Sequence, residues 1–278
     1  MIRLSPASRL VAFVVLAYTL AWAWWIPLAV SGTVVDAGQG WPTHLPGLLA
    51  PAIAAVIVTA LTQGRSGLAE LWSRVIRWRV PWYWYALIAV TALMALIPFA
   101  TGSGIVPAQL LEYSGAPAAG VLVIAYVLLV NGFGEEIGWR GFLAEGLLQR
   151  HSRLVTALIV WVVWATWHLP LFWVVRSFRD FGAGGTVGWA VGIGFGSVFL
   201  TWLYQSARHS ILIVALWHAA YNFSTATSAS AGVAAAVAST LVMIVAAVIV
   251  CLPSSWRRPT AVQAEAMRTS TSQSRNSA

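Results

Sequence analysis

The chain has no lysine, a single cysteine and only eight carboxylates, and charged residues of either sign fill 9% of its 278 positions. Each shortage excludes something. A soluble globular domain carries about a quarter charged residues, because its surface must be held in water. A chain this poor in charge meets a different solvent. The lone thiol, Cys251, leaves no partner for an internal disulfide and no second thiol for a zinc site. No glycine-rich phosphate loop follows a strand, and no internal repeat is visible.

Apolar length is what the chain has instead. Hydrophobic residues make up 59% of it. They fall in runs of about 20, each able to cross the ~30 Å hydrocarbon layer. Only helices and closed barrels satisfy their backbone polar groups inside lipid. Hydrophobicity here is continuous rather than alternating, which selects helices. An all-α, polytopic transmembrane bundle is therefore expected. Its spans, about eight in number, are read at 10–30, 45–62, 82–100, 118–138, 154–175, 187–204, 210–227 and 232–252. The first run is too long for a signal-peptide core and is read as a retained span. Residues 1–252 then form one membrane domain. Residues 253–278, rich in Ser, Thr and Arg, are expected to be a disordered cytoplasmic tail.

All sixteen basic residues are arginines, giving a formal net charge of +8. In a soluble protein this balance would suggest a nucleic-acid partner. Here the arginines sit in short turns between apolar spans, so their meaning is topological. With both termini in the cytoplasm, thirteen arginines lie in inside segments and two, Arg176 and Arg179, in outside ones. That is the bias of cytoplasmic loops. A multi-pass cell-membrane protein in contact with lipid, with no nucleic-acid partner, follows. Segment 66–80 repeats Leu68, Leu71, Trp72, Val75 and Ile76 at helical spacing, with Arg74, Arg77 and Arg79 off that stripe. It is too short and too charged to span. A short amphipathic interfacial helix, its arginines near anionic headgroups, is expected there; an ordinary loop is the alternative.

Against this apolar background, polar residues inside the spans stand out. Glu135 and Glu136 lie side by side in NGFGEEIGWRGFL, directly after the apolar run VLVIAYVLLV. An acid at mid-bilayer costs about 2.5–3.5 kcal/mol on insertion scales. The alternative is a pair of acids at a helix end, in the headgroup region. Neighbouring helical residues point about 100° apart, so both acids cannot face one site equally. Glu136 and Arg140 are four apart, in the favourable acid-before-base order, and should pair. Glu135 is then left free, on the face of Asn131, as the candidate general base.

Two histidines also fall inside apolar helices: His168 in WATWHLPLFW and His218 in LWHAAYN. Taken singly, each would be read as a hydrogen-bonded core residue. Their placement argues otherwise. His218 shares a helix face with Asn222, and His168 with Trp164. Glu135 and His168 are nearly symmetric about the turn at residues 150–153. Both should lie roughly 24 Å along their helices from it, at matching depth. His44, His151 and His209 fall in loops and receive no chemistry. The many tryptophans flank spans, where interface anchoring is expected.

These residues resemble the three motifs of the CPBP (ABI) family of intramembrane proteases, which includes the CAAX prenyl endopeptidase. EEIGWR matches EExxxR, His168 falls at the FxxxH motif, and HAAYN supplies HxxxN, in family order over residues 135–222, within a motif core of 131–222. Trp164 departs from the family's usual Phe, a change expected to alter pocket shape rather than chemistry. The resemblance implies an eight-helix fold with a polar cavity opening toward cytoplasm and lipid. It implies an intramembrane endopeptidase in which Glu135 and His168 activate a water, His218 and Asn222 stabilise the oxyanion, and Glu136 and Arg140 brace the site or position substrate. The substrate would be a membrane-associated peptide or protein. Lysine-free, arginine-, Ala- and Val-rich composition points to a high-GC bacterial genome, so prenylated CAAX substrates are not carried over. The family is often labelled metallo, and Glu135, His168 and His218 could hold zinc with one open position. HExxH is absent, and a metal-free, glutamate-dependent route accounts for the same residues equally well. Two other classes stay open at this stage: a proton-coupled transporter, in which buried acids and histidines form a relay, and a non-catalytic immunity or interaction protein on the same bundle.

Overall fold

Apolar runs become helices in the computed structural model, which describes residues 2–100, 106–230 and 232–252. Among the described residues, seven helices are long and apolar enough to cross a membrane: α1 (Pro6–Val30), α2 (Leu45–Val75), α3 (Tyr83–Ala100), α4 (Leu122–Leu148), α5 (Arg153–Val174), α6 (Gly182–Ser206) and α8 (Val233–Cys251). Between the last two lies α7 (Ile211–Thr225), of 15 residues. It rises only about 22 Å, short of a full crossing. Nine of its side chains, from Ile211 to Ser224, are buried. Enclosed by its neighbours, α7 has little need of bilayer length. Among the described residues there is no strand, only isolated bridges. The protein is a polytopic helical bundle. The tail expected at 253–278 lies outside the described residues.

Local chemistry explains where helices begin. α1, α5 and α7 each follow a serine whose hydroxyl accepts a backbone N–H three residues on: Ser5 from Ser8, Ser152 from Val155 and Ser210 from Ile213. Such caps satisfy one of the orphan donors at a helix start. Helix α1 then turns Phe13, Ala17, Ala21 and Trp25, a four-residue stripe, wholly into the core.

The arginine-rich segment after α2's apolar part differs in detail from expectation. The helix kinks at Gly64 (φ 64°, ψ −152°), a backbone that only glycine adopts without cost. Beyond the kink runs the expected helical arm, but its faces are rotated. Leu71 and Val75 are buried with Arg74, while Trp72 and Ile76 are exposed. Arg74 does not reach for headgroups. Its Nη1 donates to the Gly141 carbonyl and to the Tyr204 hydroxyl, both at 3.0 Å. A guanidinium has five donors, and these partners inside the bundle use them better than a mobile headgroup. Arg77 likewise donates to the Arg208 carbonyl.

The tryptophans also depart from expectation. Trp41, Trp72, Trp78, Trp82 and Trp173 are exposed, as interface anchors should be, but Trp25, Trp139 and Trp167 are fully buried. Trp25 donates to the His44 carbonyl (2.7 Å) and Trp167 to that of Ala17 (3.4 Å), while Trp139 Nε1 has no partner among the described residues. An indole buried with a partner packs a large apolar area at no unsatisfied donor.

Candidate active site

Helix α4 carries the acid pair and is not regular. Two π-helical stretches, Leu128–Phe133 and Trp139–Ala144, flank one α-helical segment, Gly134–Gly138. Such bulges re-aim side chains and cluster at functional sites. Glycines let other elements press against this segment. A Cβ on Gly138 would lie 2.4 Å from that of Pro51 on α2, and one on Gly132 would lie 2.7 Å from the Ala215 carbonyl on α7. The helix bearing the acids is thus clamped from two sides.

The acids are buried, Glu135 at 2% exposure and Glu136 at none. As the spacing predicts, Arg140 Nη1 donates to Glu136 Oε1 at 2.9 Å, and both side chains are fully enclosed. The same oxygen accepts from His218 Nδ1 at 2.8 Å. Glu136 therefore ties the third motif to the first. Since a carboxylate accepts, Nδ1 carries the hydrogen, and Nε2 of His218 is directed to other work. Three atoms of the pair have no partner among the described residues: Glu136 Oε2 and Arg140 Nε and Nη2. The guanidinium instead lies over the Trp164 ring, 4.5 Å from its centroid, where the ring's negative face offsets part of its charge.

Glu135 is not free, contrary to the spacing argument. Its Oε2 accepts the Trp164 indole N–H at 2.7 Å. The tryptophan therefore brings Glu135 a donor that phenylalanine lacks, beyond any change of pocket shape. Helical periodicity shows which face a residue occupies, but it cannot show a donor arriving from α5. His168 sits at the end of the same helix, with Nδ1 2.7 Å from the Trp164 carbonyl. A carbonyl only accepts, so Nδ1 holds the hydrogen and Nε2 presents a lone pair. The two residues placed at matching depth by the hairpin count thus both bond to Trp164. The His168 ring is walled by Phe178 and Trp189, at 6.2 and 5.5 Å between centroids.

Two site residues come from connectors that sequence spacing left out. Tyr113, 4% exposed, hydrogen-bonds the Asn222 side chain; burial first, and then the Glu135 charge, raises the pKa of its phenol. It stays protonated and keeps its donor. His44, which received no chemistry, is 5% exposed with Nδ1 unpartnered. Burial, and then the field of His168, lowers its pKa to about 3, so the ring is neutral. These connectors are knitted together by backbone bonds, Gly38 N–H to the Tyr113 carbonyl (3.1 Å) and Gly115 N–H to that of Asp36 (3.2 Å). No periodicity or spacing in the sequence marks Tyr113 or His44; their burial is seen only in the fold.

Among the described residues no three His, Cys, Asp or Glu side chains are grouped so as to hold an ion. Around Glu135, His168 and His218, the zinc set considered from sequence, Nδ1 of each histidine is held by a different acceptor, Nε2 keeps the ring's lone pair, and an indole occupies one carboxylate oxygen.

Comparison with known proteins bears on the same stretch. Residues 117–224 match the family model described as type II CAAX prenyl endopeptidase Rce1-like. The chain is also similar to CAAX prenyl protease 2 of Methanococcus maripaludis, 23% identical over 192 residues, covering 65% of this chain and 70% of that protein. The matched region holds Glu135, Glu136, Arg140, Trp164, His168, His218 and Asn222.

Proposed function

Taking the chain as a member of the CPBP/CAAX protease family, which the family model and the archaeal protease both support, we propose that it is an intramembrane endopeptidase for membrane-associated peptides or proteins. One observation carries the reading: a buried carboxylate, Glu135, and an imidazole with its lone pair outward, His168, are both bonded to Trp164 beside His218 and a Tyr113–Asn222 pair. A proton acceptor next to donors suited to negative charge is what amide hydrolysis needs.

In this mechanism Glu135, assisted by His168, takes a proton from water as the water oxygen attacks the substrate carbonyl carbon. The carbonyl π electrons move onto oxygen, and the side-chain amide of Asn222 donates to that oxyanion. His218 donates from Nε2 when its ring carries the second proton, a charge that Glu136 on Nδ1 offsets. The C–N bond then breaks, the leaving nitrogen receives the proton held by Glu135, and the base is restored. Glu136 and Arg140 act through His218 and the helix rather than on substrate. We further propose that both termini face the cytoplasm, on the arginine asymmetry; a reporter fused after Ala278 should be active only in a cytoplasmic format.

The test is cleavage of a fluorogenic peptide inserted in vesicles with purified protein. Hydrolysis by wild type that disappears in Glu135→Gln supports the reading. A wild type that transports protons or binds partners yet cleaves nothing would replace it with one of the other two classes.

A further inference from the structure

Trp164 stands where the related motif usually has phenylalanine, and it does more than fill space. Its indole N–H donates to Glu135 Oε2 at 2.7 Å, and its ring face covers the Arg140 guanidinium. Its edge contacts bring it to His218 at 5.7 Å between centroids. Its carbonyl holds His168 Nδ1. Every motif residue with a proton-transfer or charge role, Asn222 apart, therefore touches this one position or is one bond from it.

Indole has one donor and no acceptor. A carboxylate held by it is fixed in rotation about its last torsion, which is otherwise broad. One oxygen is occupied and the other, Oε1, is left to meet water. Phenylalanine would keep most of the ring over Arg140 and the edge toward His218, but it has no donor. Trp164 is 6% exposed, so water has little room to replace the missing bond.

We propose that Trp164 is a positioning residue that fixes the Glu135 carboxylate so that Oε1 serves as the proton-accepting oxygen, a dependence this chain acquires by departing from phenylalanine. The proposal rests on the protease reading above. It has an unusual consequence: restoring the more common residue should impair this protein.

Two measurements test it. With tryptophan indoles labelled with ¹⁵N, the Trp164 resonance is the one of seventeen lost in Trp164→Phe. In Glu135→Gln that resonance should move toward the position of a weakly bonded indole, by more than any other. In hydrolysis, Trp164→Phe should lower kcat about ten- to a hundredfold, the range for losing a hydrogen bond to a charged group, with KM little changed. A Trp164 resonance indifferent to Glu135→Gln, or a Trp164→Phe variant with wild-type kcat, would overturn the proposal. The resonance test needs no turnover, so the two ideas fail differently. A responsive resonance in a wild type that cleaves nothing would sink the protease reading, and with it the catalytic meaning of the bond. Active protein with an indifferent resonance would sink only the role of Trp164.

Discussion

Helix α4 carries two carboxylate clusters nine residues apart, one around Glu136 and one around Glu145, and they solve the burial of charge differently. At Glu145 a single oxygen, Oε2, meets His209 Nδ1 at 2.7 Å, the Tyr204 hydroxyl at 2.9 Å and Arg74 Nη1 at 3.4 Å. The Glu145 and His209 side chains keep 26% and 38% exposure, and among the described residues Arg74 Nε is the one buried atom of its charged groups without a partner. At Glu136 both ion-pair side chains are sealed at 0% exposure. Three polar atoms are left unpaired, and a second carboxylate stands next door. Among the described residues, the cluster at Glu145 leaves one buried atom without a partner where the cluster at Glu136 leaves three. A cluster that leaves buried polar atoms unsatisfied is expensive, and such expense inside a membrane accompanies function.

Substitutions that treat the two clusters alike should break or sharpen that contrast. The largest effect is expected from Glu136→Gln, which strands the Arg140 charge and replaces the carboxylate that accepts from His218 with a neutral amide. Breaking a buried pair costs about 3–5 kcal/mol, so thermal unfolding in detergent should shift markedly downward. Full stability would mean that Arg140 is solvated by some other route. Asn222→Ala should come next, with kcat lower by about 100- to 1,000-fold, the usual loss for one oxyanion donor, and little change in substrate affinity. Asn222→Asp is nearly isosteric and should also impair turnover, because a carboxylate repels the oxyanion. If that variant instead retains activity that a chelator abolishes, a metal occupies the position and the donor assignment is wrong. The smallest effect is expected from His209→Ala: a half-exposed pair is worth about 0–1 kcal/mol, and hydrolysis should be unchanged. A His209→Ala variant that loses turnover would erase the distinction between the clusters.

The Glu136 side of this contrast was readable in the sequence; the Glu145 side, built from Arg74, Tyr204 and His209 on other elements, was not. The Glu136–Arg140 pair follows from spacing of four, and the common depth of Glu135 and His168 from counting residues about a hairpin. Both are local quantities, set by helical rise and period. Tyr113 and His44 lie in connectors whose backbone pairs with distant segments, and no periodicity encodes that. Arg74 looked like a headgroup-facing cation because its charge was set against the apolar stripe, while its partners, the Gly141 carbonyl and the Tyr204 hydroxyl, come from other helices that spacing does not show. The length of α7 shows a further limit: apolar composition identifies it as a helix, but whether it crosses alone depends on what encloses it. The indole bond to Glu135 is the sharpest case. A sequence shows that tryptophan replaces phenylalanine, while the difference between them is a single N–H whose partner sits on another helix.

The central claim is that Glu135 turns water into a nucleophile against a peptide bond within the membrane. It is tested most directly by reconstituting wild type and Glu135→Gln with a mixture of membrane-protein segments and reading new peptide termini by mass spectrometry. The account predicts a defined set of termini with wild type and a rate lower by about 100- to 10,000-fold, the range for losing a general base, with the glutamine variant equally folded. The same termini appearing at the same rate with both proteins, or none with either, would contradict it.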